Sequence, residues 1–283
     1  MNLIEARGLR KTYGSVHALN DFQLTLAPGR ILGLIGPNGS GKTTALKTFL
    51  GLCQPDGGEV SVVGRNPRRE RKRLMADVGY IADVGILPRW MRVHQLLRFV
   101  AGVHPTFDRQ AAERALAQTE VRLNARISSL STGMAVQLHL SIVAAIGAKL
   151  LVLDEPTLGL DILYRQHFYD TLLQDGLSAE RGILITTHEV REIEHLLTDV
   201  LFIHHGRTVL QSSMDALSAR FSKVTTTPER AAALRALQPL HERPGANDVQ
   251  MIFDGVDPAA LTDAGEISQP TLPELFIALV GQP

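Results

Sequence analysis

The 283-residue chain has one cysteine, one tryptophan, no surplus of either charge and no long uninterrupted apolar run. Each shortage excludes something. The single Cys53 cannot form an internal disulfide, which fits a reducing compartment, and it reads as a small buried hydrophobe. Lys+Arg and Asp+Glu stand at 29 each, so the basic surplus of a general nucleic-acid binder is missing. No run approaches the roughly 18 apolar residues a membrane span needs, so any membrane link is expected to come through a partner. The opening MNLIEARGLRKTYG carries charges where a secretory signal needs an apolar core. The basic run Arg68–Arg73 contains Glu70 and reads as a solvated helix face. His204–His205 have no metal-ligand spacing and read as part of a strand leading to a turn at Gly206. Internal repeats and low-complexity tracts are missing too.

What is present is an ordinary globular composition, 45% apolar and 20% charged, with enough material for a sizeable core. Three short apolar runs stand out: Arg30–Gly36, Lys149–Glu155 and Gly182–His188. They do not alternate, so they read as strands buried on both faces, in a parallel sheet of an α/β fold. Their last residues are glycine, carboxylate and histidine. Ligands of open α/β sheets gather at the carboxyl ends of strands, so these residues are expected to converge. Between Pro88 and Ser128 the pattern turns helical, over His94–Val103 and Arg109–Leu123, with Asp108 as an N-cap. The main α/β part is expected to end near Gly206–Gln211. Beyond it the sequence predicts helices over Met214–Phe221, Pro228–Leu237 and Leu272–Val280 and a strand over Val249–Phe253, a small α+β appendage.

The first of the three strands leads into GPNGSGKTT, Gly36–Thr44, and a helical run, Lys42–Leu50, follows. Gly36, Pro37, Asn38, Gly39, Ser40, Gly41, Lys42 and Thr43 match GxxxxGK[ST] in full, with the strand before and the helix after that confirm a phosphate-binding loop. Glycines let backbone N–H groups converge on phosphate oxygens; Lys42 reaches the β- and γ-phosphates, and Thr43 places its hydroxyl on Mg²⁺. Asp154 and Glu155 close the most apolar strand. Asp154 suits Mg²⁺, directly or through water, and Glu155 suits polarising the water that attacks the γ-phosphate. His188 ends the third strand and could hydrogen-bond that water or the γ-phosphate. A second anion-holding helix start follows at LSTGM, Leu130–Met134, where Ser131 and Gly133 precede an apolar helical run, Ala135–Ala148.

The phosphate loop, LSTGM, LLVLDEP, GLD and TTHE occur in this order. With them the chain resembles the nucleotide-binding domain of ABC transporters over Leu3–Gln211. The resemblance implies a P-loop ATPase fold at 1–211 with a helical subdomain at about 88–148, and an accessory domain at 212–283. It implies that Tyr13, in KTYG, stacks on adenine and that Thr44 joins the loop's nucleotide contacts. Ser131 and Gly133 match the signature motif, Asp161 the loop that meets the opposite subunit, and His188 the switch histidine. In that family the signature helix binds the γ-phosphate held by a second domain. This chain has one set of motifs, so the resemblance implies pairing with a copy of itself or with a related chain. Two Mg-ATP would be sandwiched between them, closing the dimer on binding and opening it on hydrolysis.

Two positions depart from the family pattern. The usual LSGGQ reads LSTGM, with Thr132 and Met134 changed. The usual glutamine aligns with Asp83 in VGYIAD, which could meet Mg²⁺ or its water, or be a plain turn residue. The ending EISQPTLPELFIALVG is similar to the ATP-binding subunits of ABC-2 type exporters. That implies a separate membrane permease as partner, no nucleic acid, and a cytoplasmic chain held peripherally at the inner face of the membrane. Trp90 and Met91 fall where the family meets its permease, although core packing would suit them equally. Two alternatives remain open: a soluble ABC ATPase acting on ribosomes or DNA, and a nucleotide-sensing module with feeble turnover.

Overall fold

The computed structural model describes residues 1–81, 87–156, 165, 169, 179–187, 190–261 and 264–281. The chain opens with β1 (Ile4–Tyr13), β2 (Val16–Leu26) and β3 (Ile31–Ile35), then α1 (Lys42–Phe49). β4 (Gly57–Val62), α2 (Arg71–Leu74) and β5 (Val78–Ile81) follow. A helical stretch comprises α3 (Val93–Val103), α4 (Arg109–Leu116) and α5 (Thr132–Ala144). The chain then returns to β6 (Leu150–Asp154) and β7 (Gly182–Thr187), and continues with α6 (Val190–Ile193), β8 (Asp199–His204) and β9 (Arg207–Ser213). The C-terminal region holds α7 (Met214–Arg220), β10 (Phe221–Thr226), α8 (Pro228–Leu234), β11 (His241–Pro244), β12 (Val249–Asp254), β13 (Glu266–Ser268) and α9 (Leu272–Val280).

The central sheet has the order β5-β6-β7-β3-β8-β9, parallel except for the last pair. Every residue of β3 and β7 is buried, as is every residue of β6 but Asp154. That is the physical reason for their predominantly apolar, non-alternating sequence: helices or a second sheet cover both faces. One face shares a core with α3, α4 and α5; the other packs on α1 and the antiparallel sheet β2-β1-β4.

The two sheets are also sewn together by side chains. Thr208 Oγ1 accepts the Gln23 N–H (3.0 Å) and donates to the Gln23 carbonyl (2.5 Å). Gln211 Oε1 accepts the Thr25 N–H (3.1 Å) while Nε2 donates to the Thr25 carbonyl (2.5 Å). These polar side chains on β9 give the edge of β2 the partners a neighbouring strand would have supplied.

The C-terminal sheet, β11-β12-β10-β13, is antiparallel and buries a core of its own under α8, around Val224, Met251 and Phe253. α9 attaches this region to the main body. Leu272 and Leu275 join the large core, Phe276 meets Phe202 edge to face at 5.4 Å, and the Leu272 N–H donates to Glu194 Oε1 (3.1 Å). Three strands not predicted from the sequence, β10, β11 and β13, emerge here. Phe221 opens β10 instead of closing α7, because Lys223 and Thr225 alternate with the buried Ser222, Val224 and Thr226 only once β12 is beside them.

α4 is shorter than the expected Arg109–Leu123. Thr119 Oγ1 donates to the Leu116 carbonyl (2.8 Å) and accepts the Val121 N–H (3.1 Å), so a side chain terminates the helix where periodicity alone would have continued it. α5 starts earlier than its apolar run, at Thr132, because Ser131 caps it.

Candidate phosphate-binding site

Gly41 is the last residue before α1, at φ 112°, a backbone conformation that side chains rarely adopt. A Cβ there would stand 2.3 Å from the Ala18 carbonyl oxygen, and one on Gly36 would stand 2.3 Å from that of Ile203. The loop therefore lies against β2 and β8 at van der Waals distance, which only glycine permits. The Gly206 N–H completes the anchorage by donating to the Ser40 carbonyl at 2.8 Å. α1 has no side-chain cap, so its first N–H groups face a ligand-sized space instead of a local acceptor.

That space is a cavity of about 350 Å³. Asn38–Thr44 line it together with Val16, Ala18, Asp154 and Glu155. The loop and the end of β6 thus converge as the strand pattern predicts. Lys42 is only 8% exposed, and its ammonium donates to the carbonyls of Gly36 (2.6 Å) and Pro37 (3.2 Å). Burial lowers its pKa, and the charges of Glu155 and Asp154 work in the opposite direction. Ser40 Oγ is buried and has no hydrogen-bond partner among the described residues.

Asp154 is held from the neighbouring strand by the Thr186 hydroxyl, which donates at 2.6 Å. Tyr80 on β5 lies beside the same carboxylate; burial, and then that charge, raise its phenol pKa. Glu155 leaves the strand with φ 48°, so the chain turns immediately after the carboxylate pair. Its N–H bonds back to Thr186, to the carbonyl at 3.1 Å and the hydroxyl at 3.3 Å. Thr186 and Tyr80 are therefore supporting residues that the sequence reading missed. TT before His188 was a visible signal for Thr186; Tyr80 was identifiable only from the β5–β6 pairing.

The donor set suits Mg²⁺. Thr43 and Asp154 offer hard oxygens, fewer than a protein cage would need, and Mg²⁺ takes its remaining ligands from phosphate and water. The unpartnered Ser40 hydroxyl and the uncapped α1 start suit a phosphate likewise.

Tyr13 ends β1, half exposed, and pairs across its hairpin with Val16 on the cavity wall. Cys53 is not the small buried hydrophobe expected of a lone cysteine. It is half-buried, and its Sγ lies 3.1 Å from the Tyr13 hydroxyl. The Ser131 hydroxyl accepts the Met134 N–H (3.2 Å) as the N-cap of α5. Ser131 and Thr132 are exposed and Gly133 is buried, and none of them lines the phosphate cavity. Trp90 is 76% exposed, whereas Met91 packs against the core. Asp83, Asp161 and His188 lie outside the described residues.

Comparison with known proteins agrees with this geometry. A family model described as "ABC transporter" matches residues 19–158. The chain is 31% identical to a Nod factor export ATP-binding protein I of Cupriavidus metallidurans, over 93% of this chain and 89% of that protein. A match of that extent has to run through most of the C-terminal sheet. It is 34% identical to the like-named protein of Paraburkholderia xenovorans, over 76% of this chain and 72% of that one. Among solved structures, an ATP-binding subunit of an ABC transporter superposes with TM-score 0.68 at 25% identity, covering 76% of this chain and 91% of that one. A dimeric ATP-binding cassette bound to ADP and phosphate shares the fold at TM-score 0.65 and 19% identity, over 75% and 98%. A phosphate loop closed by a carboxylate pair, on a fold and sequence shared with these proteins, leads to one conclusion: the chain belongs to the ABC transporter family and is an ATP-binding subunit that hydrolyses ATP.

Proposed function

We propose that the chain binds Mg-ATP in this cavity, pairs head to tail with a second copy of itself, and drives a separate membrane permease of an ABC-2 type exporter. The observation that carries this reading is the separation of the two anion-holding helix starts. α1 faces the cavity; the start of α5 lies on the surface, contributes nothing to it, and offers Ser131 outward. A helix start that is exposed in one chain and suited to phosphate completes a site only in a second chain.

In this reading Lys42 and the N–H groups of Asn38–Thr44 hold the β- and γ-phosphates, and Tyr13 stacks on adenine. Thr43 and Asp154 hold Mg²⁺. When bound, the ion would offset charge on the phosphate oxygens. Glu155 orients and polarises the attacking water. Its turned backbone is tied to Thr186, and Glu155 lines the same cavity as Asp154. The family pattern gives His188, Asp161 and Asp83 the γ-phosphate contact, the subunit contact and the metal-side contact. The export named in the relatives supports an outward direction of transport. No helix of the described residues is long and apolar enough to cross a membrane, so the reading places the chain at the inner membrane face through its permease. Exposed Trp90 offers an aromatic anchor for such a partner.

The test is Glu155→Gln with Mg-ATP. Turnover should fall by about a hundredfold or more while the nucleotide stays bound, and the protein should elute as a dimer. Unchanged elution, with wild-type turnover near background, would favour a nucleotide-sensing module. Trp90→Ala should bind ATP normally but lose co-purification with the membrane partner; undiminished co-purification would remove Trp90 from the interface.

A further inference from the structure

The loop from Leu52 to Asp56 joins α1 to β4, and it is tied to the last turn of α1 at one end and to the end of β1 at the other. Leu52 and Cys53 both donate their N–H groups to the Lys47 carbonyl (2.8 and 3.1 Å), extending the last turn of α1. The Asp56 N–H donates to the Arg10 carbonyl at 2.7 Å. The Asp56 carboxylate accepts from the Thr12 N–H (2.7 Å) and from the Lys11 ammonium (2.8 Å). Between these anchors Cys53 Sγ and Tyr13 Oη share their 3.1 Å hydrogen bond. Lys11 Nζ stands 5.4 Å from the centre of the Tyr13 ring, within cation–π range. The ring is thus held at its hydroxyl and has a cation close by, yet stays 50% exposed.

We propose that Cys53 is a positioning residue for the nucleotide base: its thiol fixes the Tyr13 ring in the orientation that stacks on adenine, with Asp56 and Lys11 completing the support. This rests on the reading of Tyr13 as the adenine platform. An exposed tyrosine ring free to change rotamer would lose that freedom when a base docks, and the loss would weaken binding. A ring already held by a hydrogen bond has paid most of it in folding. The titration directions agree with the geometry. The Tyr13 phenol is raised first by its hydrogen bond to Cys53 and then by burial, and the Asp56 carboxyl is lowered first by Lys11 and then by the Thr12 N–H. Stacking reads the face of a base and not its edge, so the effect should be shared by ATP and GTP.

The test is steady-state ATPase kinetics of the full chain with Cys53→Ala, Cys53→Ser, Tyr13→Phe and the double variant Cys53→Ala/Tyr13→Phe. Cys53→Ala should raise KM for ATP about threefold, the loss of one hydrogen bond, with the change in KM and not in kcat. Cys53→Ser, which keeps a donor and acceptor, should return KM close to wild type. The double variant should be no worse than either single one, because both remove the same bond. A wild-type KM in Cys53→Ala, or additive effects in the double variant, would overturn the proposal. Tyr13→Ala separates it from its foundation. If Tyr13→Ala raises KM and Cys53→Ala does not, positioning by Cys53 fails alone; if Tyr13→Ala leaves KM unchanged, the adenine platform fails as well. Cys53 is the only thiol in the chain, so its labelling by a thiol reagent is a direct second readout. Mg-ATP should slow that labelling, and equal rates with and without nucleotide would count against the proposal.

Discussion

The two helix starts suited to anions are built in opposite ways. α1 begins after Gly41, in a left-handed conformation, with no side-chain cap and a buried lysine beside its first turn. α5 begins after Ser131, which satisfies the Met134 N–H itself and stays at the surface. The first start has no side-chain cap and lines an open cavity with Asp154 and Glu155. The second is locally complete and open to the outside. The difference teaches that one helix start opens on a cavity of its own chain and the other does not. An uncapped start leaves its first N–H groups to water or a ligand, whereas a capped start has satisfied one of them with its own side chain.

The comparison can be broken most forcefully at Lys42. Lys42→Ala should lower kcat/KM for ATP by about a hundredfold or more while leaving the circular dichroism spectrum unchanged. A loss below tenfold would mean that the backbone donors of the loop hold the phosphates without the ammonium. Next in size is an effect on stability inside α5. Burial pushes His139 from 6.5 to about 4, and its Nδ1 has no partner among the described residues. Between those values the unfolded chain takes up a proton that the folded chain refuses. Stability is therefore full above about 6.5 and falls as the pH drops toward 4, by at most about 3 kcal/mol. His139→Leu should move the acid unfolding midpoint to lower pH, and an unmoved midpoint would place the acid sensitivity elsewhere. The smallest effect belongs to the cap. Ser131→Ala should cost about 1 kcal/mol in denaturant melts, since α5 depends on its own side chain. If the tip instead depended on ligand, the loss would appear only as weaker ATP-driven dimerisation, with the melt unchanged.

The parts legible in the sequence were those in which local chemistry and long-range structure demand the same residues. The β3 and β6 strands, the Gly36–Thr44 loop and the Asp154–Glu155 pair could all be read in advance, and α9 runs over the very residues its pattern predicts, Leu272–Val280. Its Thr271–Glu274 capping box and proline at the first turn mark the start unambiguously. The end of α4 could not be read, because a threonine side chain outcompetes the periodic continuation. β10 could not be read either, since its polar residues acquire a strand pattern only against β12.

By itself the sequence determined the phosphate loop, because a glycine-rich turn between a strand and a helix is fixed by backbone sterics over nine neighbouring residues, Gly36–Thr44. It also determined the carboxylate pair and the parallel core, because strands buried on both faces are predominantly apolar instead of alternating. Only the tertiary structure decided what stands behind those groups: Thr186 and Tyr80 around Asp154, Cys53 and Lys11 around Tyr13, Met91 inward and Trp90 outward. These partners come from different strands and loops, and a contact between residues distant in sequence leaves no local pattern to read. Proximity arises only after the sheet order is set, and the sheet order is a property of the packed whole.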